Sequence, residues 1–140
     1  MSLEARMRKL GKTLGEREAA HRDALSAADK LAAELRSTVA EALEAFHAGA
    51  SDVGAPHLRA QVSEPRTDDK HVRAIEFELQ RGRHRAIVTV KSKGAVTLVG
   101  PFQAGKNEGP CASFAWEDRS GLEAALGDFL ENFLQEAASP

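Results

Sequence analysis

No proline occurs in the first 47 residues, and alanine, leucine, glutamate, arginine and lysine dominate them. A stretch of this kind has few alternatives to the α-helix, because these side chains lose little freedom in one and nothing breaks the hydrogen-bond ladder. Continuous over residues 2–47, the helix would be about 65–70 Å long at 1.5 Å per residue. The residues that remain make a globule only about 30 Å across. One end of the helix must therefore leave the globule, or the helix must fold back near Gly11 and Gly15. Each of those glycines costs roughly 1 kcal/mol in a helix interior.

What lies on the helix surface decides what such a projection is for. Leu3, Met7, Leu10 and Leu14 follow the 4-3-4 spacing of a coiled-coil seam. Continuing the frame brings Arg17 and His21 onto the seam, and apolar residues resume at Leu25, Ala28, Leu35, Val39, Ala42 and Phe46. The first four are the expected oligomer interface, and a homodimer is the expected assembly. Residues 1–48 thus read as a helix and candidate oligomerisation segment. The glycine- and proline-bearing stretch 49–57 reads as a linker, and 58–140 as an α+β domain.

The second zone alternates. Ile75, Phe77 and Leu79 oppose Glu76, Glu78 and Gln80, the signature of a half-buried strand, and Ala86, Val88 and Val90 repeat it. With Arg81-Gly82 as the loop, Phe77 is expected opposite Ala86, Ile75 opposite Val88, and Glu78 opposite Arg85. A three-residue loop, Ser92-Lys93-Gly94, is expected to place Val90 opposite Val96 and Val88 opposite Leu98. Leu58, Ala60 and Val62 suggest a weaker strand before these, and Ser113–Trp116 another after them. Ser120-Gly121-Leu122-Glu123 reads as a capping box. It opens an amphipathic helix carrying Leu122, Ala125, Leu126, Phe129, Leu130, Phe133 and Leu134. The expected fold is α+β: a long N-terminal helix, an antiparallel sheet of four or five strands, and a C-terminal helix packed across it.

Gly100, Gly105 and Lys106 have the G-x-x-x-x-G-K spacing of a phosphate-binding loop, behind an apolar run. The match fails where the chemistry needs it. Asn107 stands in place of the hydroxyl residue that would bind magnesium. Gly109-Pro110 prevents the helix whose first amides would hold the phosphates. The stretch reads as a loop between antiparallel strands. Cys111 cannot form an internal disulfide and has no histidine near it in sequence. His21, His47, His57, His71 and His84 show no metal-ligand spacing. Glu76 and Glu78 share a strand face, where salt-bridged solvent exposure explains them without catalysis. No catalytic group, cofactor or metal site is expected.

Charge separates along the chain: residues 1–56 carry −1, 57–93 carry +4 and 94–140 carry −5. Arg66, Lys70, Arg73, Arg81, Arg83, Arg85, Lys91 and Lys93 make the middle basic. With Lys106, the residues Arg73, Arg81, Arg83, Arg85, Lys91 and Lys93 form the candidate surface for a protein partner or for nucleic acid. Interleaved acidic residues and the lack of an exposed aromatic platform count against single-stranded nucleic acid. No apolar run is long enough to span a membrane, and the N-terminus lacks the apolar core of a secretory signal. With one cysteine, the chain is expected in a reducing compartment, the cytoplasm. The expected function is a non-enzymatic interaction and assembly module. It would oligomerise through its N-terminal helix and bind a protein partner through sheet and loop. The alternative is a nucleic-acid binder using the basic hairpins of residues 66–93.

The incomplete phosphate loop makes a direct prediction. Calorimetry with ATP or GTP and magnesium should show no binding. Magnesium-dependent binding that disappears in Lys106→Ala would overturn this reading.

Overall fold

The computed structural model describes residues 2–67, 74–105 and 109–139. Their order is α1 (Leu3–Asp52), β1 (Gln61–Val62), β2 (Arg66–Thr67), β3 (Ala74–Arg81), β4 (His84–Lys91), β5 (Ala95–Gln103), β6 (Cys111–Ala115) and α2 (Arg119–Glu136). The class is α+β, with a long N-terminal helix, one antiparallel sheet and a C-terminal helix. Among the described residues the sheet has six strands, where four or five were expected. β1 and β2 are two-residue pieces that both pair with β3. Pro65, lying between them, lacks the N–H a continuous strand would need.

α1 is unbroken through Gly11 and Gly15 and is about 75 Å long by its 50 residues. Ser2 caps its start, its side chain accepting from the Ala5 N–H at 3.1 Å. The helix runs four residues further than expected, through the 49–52 stretch read as linker. The residues that follow are tied down: His47 Nε2 accepts a hydrogen bond from the Ala60 N–H at 3.1 Å. Arg36 donates to the Ser63 carbonyl at 3.3 Å and pairs with Glu64 at 3.1 Å.

Both helices feed one core with one face of the sheet. Phe77, Leu79, Ala86, Val88, Val90, Val96 and Leu98 meet Ala28, Leu31, Leu35, Val39 and Leu43 of α1 and Leu122, Leu126, Phe129, Leu130 and Phe133 of α2. α1 lies over β3 and β4, and α2 over β4, β5 and β6. The buried stripe of α1 departs from the heptad frame. Leu31, Ala32, Leu43 and His47 are buried, whereas Ala42 is exposed and Phe46 half-buried. A straight helix on a sheet keeps its 3.6-residue period, so a strict seven-residue frame drifts about 20° per heptad off the contact.

The β3–β4 hairpin corrects the expected register. Its loop is Gly82-Arg83, with Arg81 opposite His84, Leu79 opposite Ala86 and Phe77 opposite Val88. Gly82 has φ +57° and takes the first loop position, where type II′ turns place glycine. Moving a two-residue loop by one residue shifts every partner by two. Each side chain therefore keeps its face, and the expected alternation stands. The second hairpin follows its expected register, Val90 opposite Val96 and Val88 opposite Leu98, with Gly94 at φ +103°. The cap of α2 is another correction. Asp118, not Ser120, is the N-cap and accepts from the Gly121 N–H at 3.2 Å.

Phe77 has no exposed surface, while Ile87 lies half-buried on the opposite face. Phe77→Ala should cost about 3–5 kcal/mol in urea denaturation, through lost transfer energy and the cavity left behind. Ile87→Ala should cost less than half as much; equal costs would mean that the sheet buries both faces.

Candidate interaction site

The projecting end of α1 is the first candidate surface. Every residue from Leu3 to Ala20 is exposed. Leu3, Met7, Leu10 and Leu14 are the large apolar ones, with 70%, 50%, 48% and 47% of their surface in solvent. Leu10 and Ala28 are about five turns apart and lie on the same side of the cylinder. The exposed stripe is thus the forward continuation of the face that the sheet buries further on. The change from core to solvent falls at His21 and Ala24, which face Lys91–Lys93 across a cleft of about 630 Å³.

The second candidate is the basic set, whose described members the structure does not gather into one patch. Arg73 and Lys106 lie outside the described residues. Arg81 points to the helical side, where it donates to the Ala137 carbonyl at 2.6 Å and to the His57 carbonyl at 3.5 Å. It ties the end of α2 and the post-helix segment to β3. Arg85 lies on the open face and pairs with Glu78 at 3.2 Å. In the observed register the two are diagonal neighbours, Glu78 standing opposite Ile87 and Gln80 opposite Arg85. Arg66 pairs with Glu76 at 3.1 Å and with Glu78 at 3.6 Å. Arg83 and Lys93 sit in the loops at opposite ends of β4, about 24 Å apart by strand length. Lys91 is half-buried.

The third is the stretch that resembled a phosphate loop. β5 runs through Gly100 to Gln103, and β6 begins at Cys111. Gly100 has φ +112° at an irregularity of the β4–β5 ladder, where Ile87 pairs with Val99 but Arg85 with Phe102. A Cβ there would stand 3.0 Å from the Arg85 carbonyl and 3.1 Å from Ala86 Cα. Gly105 has φ +91° in a turn. A close strand approach and a turn thus account for the two glycines that imitated the motif. Lys106, Asn107 and Glu108 lie outside the described residues.

Cys111 is exposed at the start of β6. Among the described residues, no group of three histidine, cysteine or acidic side chains is placed to hold a metal, and no helix is long and apolar enough to cross a membrane. The polar anchors Arg36, His47 and Arg81 were not anticipated. Only His47 carries a sequence signal, lying four residues after Leu43 on the stripe that becomes core. The chain matches no protein-family model, no curated protein and no solved structure.

The open-face ion pairs make a quantitative prediction. A double-mutant cycle on Glu78 and Arg85 should return a coupling of about 0–1 kcal/mol, shrinking as salt is added. A coupling above about 2 kcal/mol that survives 1 M salt would mean that the face is covered in solution.

Proposed function

We propose that the protein is a non-enzymatic assembly module that self-associates through the projecting end of α1 and offers its sheet and loops to a protein partner. The observation that carries this is the apolar stripe of Leu3, Met7, Leu10 and Leu14, held clear of the globule on a capped, continuous helix. Fully burying one such side chain contributes roughly 1.5–3 kcal/mol, and soluble monomers rarely leave a contiguous apolar strip in water. A helical segment without tertiary contacts is marginal by itself, so an intermolecular contact would also supply its order. The 4-3-4 spacing suits a second copy of the same stripe, with each side chain entering a gap on the facing helix. The assembly is then a homodimer or small oligomer, with the globular parts held apart.

For nucleic acid as the alternative ligand, the geometry offers little. Two of the open-face arginines are neutralised by glutamates, and Arg81 is spent on main-chain carbonyls. Fluorescence titration with generic single-stranded DNA and RNA at low salt separates the two readings. The assembly reading expects no salt-dependent binding, whereas micromolar binding that weakens steeply with salt would favour the basic hairpins.

Light scattering at micromolar concentration should give at least twice the chain mass of 15.0 kDa. Changing Leu10 and Leu14 to glutamate should shift the mass to the monomer while leaving the sheet folded by circular dichroism. A wild-type monomer at these concentrations would overturn the proposal.

A further inference from the structure

β6 is the last strand of the sheet, with β5 on one side and no described strand on the other. The direction of its backbone groups follows from two bonds. The Gly100 N–H donates to the Pro110 carbonyl at 2.8 Å, and the Trp116 N–H donates to the Gly94 carbonyl at 2.9 Å. In an antiparallel strand both polar groups of one residue point the same way, and the direction alternates. Pro110, Ala112, Phe114 and Trp116 therefore face β5, and Cys111 and Ser113 direct their N–H and C=O groups to the free edge, as does the Ala115 N–H. The Ala115 carbonyl accepts from the Asp118 N–H at 3.1 Å. Folded proteins usually blunt such an edge with lysine, proline or a bulge. The residues of β6 are Cys, Ala, Ser, Phe and Ala, carrying no charge, and four of the five are exposed.

A groove runs beside the same strand. Leu98, Ala112, Ala125 and Phe129 form its apolar walls between the sheet and α2, with Asp128 and Asn132 also lining it, around a volume of about 270 Å³. The one charged residue among those lining it, Asp128, is acidic, and so is the solvent face of the helix that carries it. α2 exposes Glu123, Asp128, Glu131 and Glu136. Arg119, the one cation between residues 109 and 139, bonds to Glu34 at 3.1 Å.

We propose that the free edge of β6 takes up an extended, lysine- or arginine-bearing peptide segment of a partner protein as an added strand, with alternate side chains entering the groove beside α2. Main-chain pairing to Cys111, Ser113 and the Ala115 N–H supplies the binding, and the groove and the acidic face of α2 select the side chains. Charge decides the occupant. A second copy of β6 would bring another acidic α2 to this edge, whereas a basic segment is drawn to it. The proposal names the partner class for the interaction module and rests on that reading.

The probe is a ten-residue peptide alternating valine and lysine, added to the full-length protein and followed by amide NMR. The Cys111, Ser113 and Ala115 amides should shift and exchange more slowly with solvent. A peptide with glutamate in place of lysine should bind at least fivefold more weakly, and one with alternate backbone amides methylated should not bind. Asp128→Asn should weaken the lysine peptide about two- to fivefold, as an exposed ion pair does. Ser113→Pro should abolish binding, since it removes an outward N–H and leaves main-chain pairing to β5 in place. It also loses the side-chain bond between Ser113 Oγ and Thr97 Oγ1 at 2.9 Å. The methylated peptide makes the same test without altering the protein. The variant with glutamate at Leu10 and Leu14 should bind as the wild type does, so that loss of self-association and loss of peptide binding are read separately. Absence of binding, equal binding of the glutamate peptide, or shifts confined to the β3–β4 face would overturn the proposal. Edge amides already protected in proportion to protein concentration would assign the edge to a second copy and overturn it as well.

Discussion

The contact between the inner face of α1 and strands β3 and β4 is what the rest of the molecule depends on. Ala28, Leu31, Leu35, Val39 and Leu43 lie in the same core as Phe77, Leu79, Val88 and Val90. The small side chains of Ala28 and Ala32 have no exposed surface, so the helix lies close to the sheet there. That contact orients a rigid rod. Once about half of α1 is fixed to the sheet, a continuous helix carries the other half to a defined place in solvent. α2 completes the layer over β5 and β6, and Arg119–Glu34 links its first turn to α1. With both helices on one side, no described helix or strand covers the other face of the sheet or the β6 edge.

This division of one helix into a buried and a projecting part explains why its apolar pattern has two rhythms. Against the sheet the buried positions keep the 3.6-residue period of a straight helix. Beyond it, Leu3 to Leu14 keep the tighter spacing that suits a second helix. His21 marks the change. The polar side chains follow the same logic: Arg36, His47 and Arg81 each fasten an irregular segment to a regular one, and the groups they engage are mostly main-chain atoms. In the sequence's basic zone, Arg81 thus serves the fold before it serves a ligand.

The two helices, the order of the longer strands, the presence of both β3–β4 and β4–β5 hairpins and the facing of these strands were legible in the sequence, whereas the two-residue β2 was not. Period-2 alternation at Ile75–Gln80 and the i, i+3, i+4 rhythm at Leu122–Leu134 depend on burial of one face, which any correct fold must respect. What was not legible depends on a few local geometries. The β3–β4 register turned on whether Gly82 came first or second in its loop. The cap of α2 turned on which of Asp118 and Ser120 approached the Gly121 N–H. Arg81 looked like a surface cation because nothing in sequence reveals that Ala137, far along the chain, would bring its carbonyl to it. The candidate surface was legible in part: the apolar stripe of α1 was visible, but the dispersal of the basic residues along β4 needed the fold, as did the exposure of the β6 edge.

Amide hydrogen exchange along α1, followed as a function of protein concentration, tests the central account most directly. Amides of residues 28–47 belong to the core and should be strongly protected at every concentration. Those of residues 4–16 should exchange fast in dilute protein and become protected as concentration rises, because their order comes from a second chain. Fast exchange of residues 4–16 at all concentrations would contradict the account, as would protection there equal to the core in dilute monomer.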